Sequence, residues 1–141
     1  SDKASSQKEV EQASKGFTNS KVNKEARIGA GKVLYKGTCS TCHQLNGEGL
    51  PNIFPPLAKS EYLSDKDKII TIVLNGLNGP IKVNGKDFNS VMPPMSQFNE
   101  DEIANILTYI RNEWGNTGEM ITPDDVAKIR KSTQRPAGAA K

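Results

Sequence analysis

Both cysteines of the chain and its single histidine fall within five consecutive positions, as Cys39, Cys42 and His43 of the run CSTCH. Whatever chemistry thiols and imidazole perform here must be performed on this one turn, and the fold has to converge on it. Three uses are open: a metal site, a dithiol redox centre, or covalent attachment of haem. Structural zinc needs about four N or S ligands, usually as two separated pairs, and the chain offers one pair and one histidine. A dithiol centre expects a parallel βαβ pattern around its cysteines, whereas a helical pattern precedes this motif and loops follow it. Haem attachment needs what is present. Two thiols add to the two vinyl groups, and a histidine directly after the second cysteine is placed to reach the iron, which is the C-x-x-C-H signature.

Composition agrees with a chain that borrows part of its core. Only 35% of its 141 residues are hydrophobic and 6% are aromatic, so an apolar cofactor at the centre would supply surface the side chains lack. No run of about 18 apolar residues is present, so no transmembrane helix is expected. The chain opens SDKASSQKEV with no Met and no apolar segment, which reads as a signal peptide removed or never there. Charge is uneven: residues 1–32 carry a net +3, 33–120 a net −3, and 121–141 a net +3. Basic ends on an acidic body, without interleaved aromatics, exclude a nucleic-acid surface and read as solvated tails.

Residues 1–22 are rich in Ser, Lys, Gln and Glu and read as a flexible, solvated tether or a frayed helix. Residues 23–132 form the folded domain, and 133–141 a flexible tail. The first helix is expected over 24–36, with Asn23 as N-cap and Ile28, Gly31 and Tyr35 on one face. Glycines and prolines keep 37–63 as loop. A helix over 65–74 follows, with Ser64 and Asp67 as its capping pair and Asn75-Gly76 closing it. Asn84-Gly85 predicts a small hairpin, and VMPPM is extended because each proline biases its predecessor away from the helical region. The clearest helix spans 100–114, capped by Asn99, with Ile103, Ile106, Leu107, Ile110 and Trp114 as its apolar stripe. A short helix begins at Thr122 with Pro123 at its first position and Asp125 three residues after the cap.

A second axial ligand would be a methionine if the protein carries electrons, since His/Met ligation suits that task. Met120 sits in a loop beyond the 100–114 helix and reads as packing. Met92 and Met95 both lie in VMPPMSQF. Met92 is the choice, because Pro93-Pro94 stiffen the segment that holds it, and Met95 is the fallback; the other fills a gap.

At these residues the sequence resembles the small class I c-type cytochromes, over about residues 24–131. Gly31, Tyr35 and CSTCH look like that family's N-terminal helix and attachment motif, with Ile106 and Tyr109 as partners on the later helix. FPPLA looks like its proximal loop. There the resemblance implies that the Pro55 carbonyl accepts the histidine Nδ1–H and counts Leu57 among the haem-binding residues. VMPPM followed by LTYI looks like the Met-Pro segment and final helix. GEGLPNIFPPLA and LNGLNGPIKVNGKDFNSVMPPM are most similar to the cytochrome domains fused to copper nitrite reductases or serving quinoprotein dehydrogenases and terminal oxidases. No histidine remains here for a copper site, so the chain reads as a separate cytochrome or a domain of a larger oxidoreductase.

The resemblance implies a mainly α, class I cytochrome c fold: three to five helices around one covalently bound haem c, with a small hairpin. Cys39 and Cys42 would hold the haem, and His43 and Met92 would ligate its iron. Both axial positions are then filled, which makes an electron carrier and not a catalyst. Its partners would be a reductase, dehydrogenase or terminal oxidase, met in the periplasm or otherwise outside the cytoplasm, with the N-terminal tether as the point of any membrane attachment. The competing reading is a haem gas sensor or peroxidase with a labile sixth ligand. Against it, no second histidine or arginine pair is available to line a distal side.

Overall fold

The computed structural model describes residues 18–133, and the readings made for 1–17 and 134–141 lie outside them. Among the described residues the chain forms five α-helices: α1 Thr18–Gly37, α2 Ser40–His43, α3 Lys66–Asn75, α4 Glu100–Ile110 and α5 Pro123–Thr133. A 3₁₀ turn, Glu61–Ser64, precedes α3, and a two-stranded hairpin, β1 Ile81–Val83 with β2 Lys86–Phe88, lies between α3 and α4. This mainly helical architecture with one hairpin is the fold class expected from the sequence.

α1 begins at Thr18, not at 24, so the end of the expected tether is helix and Asn23 is an interior residue, not the N-cap. Asn costs only a few tenths of a kcal/mol inside a helix, and no Gly or Pro interrupts the run before Gly29. α1 crosses α4, and this pairing organises the molecule. Gly31 makes the close approach possible. A Cβ there would overlap the Asn105 carbonyl and stand 2.9 Å from the Tyr109 Cβ. Of the two expected crossing partners, Tyr109 stands at the Gly31 contact, and Ile106, in the same core cluster as Tyr35, also lines a cavity. Arg27 ties the crossing at its rim, donating from Nη1 to Asn105 Oδ1 at 2.7 Å and Asp101 Oδ1 at 3.3 Å.

α4 starts as expected: Asn99 and Glu102 form a reciprocal capping box. It ends at Ile110, four residues early. Asn116 Nδ2 donates to the Ile110 carbonyl at 2.9 Å, satisfying an end group that would otherwise need another turn. Trp114 then adopts φ 56° and Gly115 φ 84°, which reverses the chain. The indole comes to rest against Tyr35 and Tyr109, with ring centroids 5.2 and 5.5 Å away. Arg111, buried just past the helix, donates to the Leu63 carbonyl at 2.9 Å and to the Glu119 carbonyl at 2.8 Å, locking the 3₁₀ turn to α4.

The cap of α3 also shifts. Asp65, not Ser64, is the N-cap, accepting from Lys68 N, because Ser64 is still in the 3₁₀ turn and donates to the Glu61 carbonyl. Thr122 and Asp125 exchange side-chain-to-backbone hydrogen bonds at the start of α5. The hairpin turns on Asn84 and Gly85, with φ 52° and 79°, and Val83 pairs with Lys86 across it. These are the positive dihedrals a two-residue turn requires.

The glycine at the crossing and a glycine one half-turn away give opposite predictions. Gly31→Ala forces a methyl against backbone and should lower unfolding free energy by about 2–3 kcal/mol. At Gly29 a Cβ would meet nothing within 4 Å, so Gly29→Ala should gain up to about 1 kcal/mol from helix propensity alone. Denaturant unfolding of both variants checks this; equal effects would contradict the crossing geometry.

Candidate functional site

His43 closes the four-residue helix α2, which begins where Cys39 caps it. The Cys39 carbonyl accepts from Cys42 N at 3.2 Å and His43 N at 2.9 Å, so one turn of backbone fixes all three side chains. The imidazole is 9% exposed. Its Nδ1 lies 2.9 Å from the Pro55 carbonyl oxygen. A carbonyl can only accept, so Nδ1 carries the proton and Nε2 keeps its lone pair. Burial lowers the pKa of this histidine, an effect the Pro55 hydrogen bond partly offsets. The ring is therefore held neutral, in one tautomer and one orientation, which is the state a metal ligand needs.

The loop that delivers Pro55 is built on two left-handed glycines. Gly47 (φ 70°) accepts from Leu57 N at 2.7 Å and Ala58 N at 3.0 Å, and Gly49 (φ 66°) donates to the His43 carbonyl at 3.0 Å. A Cβ on Gly49 would overlap the Phe54 carbonyl and stand 2.7 Å from the Pro55 carbonyl oxygen. Gly49 thus lets the carbonyl that orients His43 come close. In the sequence it reads as an ordinary loop glycine, although the Gly-x-Gly of NGEG beside the motif is a usable sign.

The Cys39 thiol is pushed up to about 11, by burial first and the neighbouring Cys42 second. In the folded chain it is protonated at neutral pH, which is the reverse of an activated dithiol. Among the described residues, which include every Cys and His, no group of three or more His, Cys, Asp and Glu could hold a metal ion.

Two cavities meet at these side chains. An inner one of about 90 Å³ is walled by Leu57, Leu63, Ile69, Val73, Ile106 and Ile110. An outer one of about 530 Å³ opens past Thr41, Cys42, Ile53, Val91, Pro93 and Gln97. Cys39, His43, Pro55, Leu77, Met92 and Met95 line both. No Asp, Glu, Lys or Arg lines either. Met92 is fixed by two backbone hydrogen bonds with Leu77, at 2.8 and 2.9 Å, and Gly76 packs against its carbonyl, which a Cβ would approach to 2.6 Å. Met95 is held by its own N–H to the Val73 carbonyl at 2.9 Å, and its sulfur accepts from Gln97 Nε2 at 3.8 Å. Met120 lines neither cavity. An apolar space bordered by two thiols, one imidazole with a free Nε2 and two thioethers is a donor set that fits haem.

The family model Cytochrome c matches residues 28–114. A cytochrome c-552 of Thermus thermophilus is 36% identical over 108 residues, which are 70% of this chain and 82% of that protein. The cytochrome c subunit of a quinone alcohol dehydrogenase from Gluconobacter oxydans is 26% identical over 128 residues, 89% of this chain and 27% of the subunit. The cytochrome c subunit of a gluconate 2-dehydrogenase from Pantoea cypripedii is 31% identical, over 72% of this chain and 24% of the subunit. The chain spans about a quarter of the length of these dehydrogenase subunits.

Proposed function

This chain belongs to the cytochrome c family, and from that membership we propose that it is a one-electron carrier whose haem is tied by Cys39 and Cys42 and ligated by His43 and Met92. The family carries one covalently bound haem c in a domain of this kind and works in electron transfer. When bound, the haem supplies an iron couple that gains and loses one electron. The observation that carries the finer reading is the 2.9 Å contact of His43 Nδ1 with the Pro55 carbonyl, made by a ring that shares two cavities with Met92.

Each residue then has a definite task. Cys39 and Cys42 hold the cofactor as thioethers, so it cannot dissociate. Pro55 retains the Nδ1 proton of His43 and raises the basicity of Nε2. Met92 offers a neutral, polarizable sulfur, which favours the ferrous state. Leu57, Ile106 and Ile110 keep water from the inner cavity. With the imidazole proton already donated to a carbonyl, no proton has to move when the charge at the centre changes. Nothing in such a site leaves a position for substrate, so the chain serves an oxidoreductase without being the catalyst. Met92 is preferred to Met95 because the Met95 sulfur is already engaged by Gln97.

The partners we propose are extracytoplasmic redox proteins: a dehydrogenase, reductase or terminal oxidase in a bacterial periplasm. Cytochrome subunits of dehydrogenases among the relatives support this. No described helix is long and apolar enough to cross a membrane. Docking would use the mouth of the outer cavity, where Ile53 is 48% and Val91 66% exposed and no charged side chain lies on the lining. A brief encounter between such a rim and an uncharged partner face is driven by apolar contact, with little long-range steering.

Two predictions test this. In the haem-loaded protein, Met92→Ala should abolish the iron–sulfur charge-transfer band of the oxidised state and lower the reduction potential, while Met95→Ala keeps the band. The reverse result would move the ligand role to Met95. In stopped-flow electron transfer to a partner, the rate should change less than about twofold between 50 and 300 mM salt, and Val91→Lys should slow it more than removal of residues 1–17. A steep salt dependence abolished by that truncation would make the charged side chains of residues 1–17 the docking element.

A further inference from the structure

The stretch from Leu77 to Met92 is a loop closed at its base and pinned at its tip. At the base, Leu77 and Met92 exchange backbone hydrogen bonds of 2.9 and 2.8 Å. Between them the hairpin turns Ile81, Val83 and Phe88 to the cavities. Its strands have three residues each, too short to be stable alone, and no helix makes an extended contact with it among the described residues. At the tip, both carboxylate oxygens of Glu61 accept from the Asn84 N–H, at 2.8 and 3.0 Å. Among the described residues this is the hydrogen bond that ties the hairpin to the rest of the protein.

Glu61 is well anchored for that task. It opens the 3₁₀ turn, whose Tyr62 and Leu63 line the inner cavity. The turn is fixed by Ser60, which accepts from Tyr62 N, and by Arg111 on the Leu63 carbonyl. The Lys68 ammonium stacks 4.0 Å from the Tyr62 ring centroid. The carboxylate therefore joins a rigid part of the cavity wall to a part with little support of its own.

We propose that Glu61 is a positioning residue: by holding the loop tip through Asn84, it keeps the base of the loop closed and the Met92 thioether in place. The inference rests on the reading of Met92 as the sixth ligand. A carboxylate accepting from a backbone N–H is stronger than a neutral pair, but this contact is open to solvent. Its loss is therefore worth about a fivefold increase in the open population of the loop, as for an ordinary hydrogen bond.

Imidazole titration of the oxidised, haem-loaded full chain reads that population. Imidazole nitrogen replaces the thioether only when the loop opens, so its apparent affinity scales with the open fraction. Glu61→Ala should bind imidazole about fivefold more tightly, with the iron–sulfur band intact before imidazole is added. Amide exchange at Asn84 should accelerate by a similar factor. Glu61→Gln, which keeps one acceptor oxygen, should fall between. Asp87→Ala, which removes only the 3.1 Å pair with Lys82 inside the hairpin, should titrate like the unsubstituted protein. If Asn84 exchange accelerates in Glu61→Ala while imidazole affinity stays the same, the pin does not hold Met92 and the inference is overturned. Unchanged Asn84 exchange overturns it as well. Absence of the band from the unsubstituted protein would overturn the ligand reading and this inference with it, whereas a band present with unchanged affinity overturns this inference alone.

Discussion

The hydrogen bond from His43 Nδ1 to the Pro55 carbonyl, 2.9 Å long, is the constraint around which the rest of the structure is arranged. It fixes a tautomer, a ring plane and the direction of Nε2 at once, and it requires a backbone carbonyl to arrive from twelve residues away. Gly47 and Gly49 exist in left-handed conformations so that this loop can return. Gly49 has no room for a side chain beside the same carbonyl. Burial strips water from the imidazole and holds it neutral, so the carbonyl is its one strong partner on that side. If the contact failed, the two thiols would still lie on their turn, but the ring between them and the cavity would be free to rotate.

The second requirement is a space for the ring to face. A chain with 35% hydrophobic residues builds it on the crossing of α1 over α4 at Gly31, where the Tyr35, Tyr109 and Trp114 rings pack on one another. The cavity walls on the other side come from α3, the 3₁₀ turn and the loop that carries Met92. Part of the core, including Leu63, Ile69, Val73, Ile106 and Ile110, is thus a lining, which is the form expected where an apolar group is to be enclosed. The absence of charged side chains from that lining fits the same purpose, because an unpaired charge there would be costly to desolvate.

Where the signal was local, the sequence spoke clearly. CSTCH placed two thiols and an imidazole on one turn, Asn84-Gly85 demanded a hairpin, and Asn99 with the acidic run after it marked the start of α4. Signals that depend on distant partners were silent. α1 runs back to Thr18 because nothing in 18–23 stops it, although Asn23 resembled a cap. α4 stops at Ile110 because Asn116 reaches back to its last carbonyl, whereas the apolar stripe alone extended to Trp114. Arg111 is buried on two carbonyls that lie far from it in the chain or beyond the helix end. Glu61 lies 23 residues before Asn84, and only the folded chain brings the two together. Helix existence follows from periodicity, while helix ends and long-range clamps follow from tertiary contacts that a linear reading does not contain.

The central proposal is that His43 and a methionine would both ligate the haem iron, leaving a centre that exchanges electrons and nothing else. Addition of carbon monoxide to the reduced, haem-loaded protein at neutral pH tests it most directly. The account predicts that the absorption spectrum stays unchanged on the timescale of mixing, because the thioether occupies the only position the gas could take. Rapid binding at one carbon monoxide per haem would contradict it and would identify a haem protein with an open sixth site.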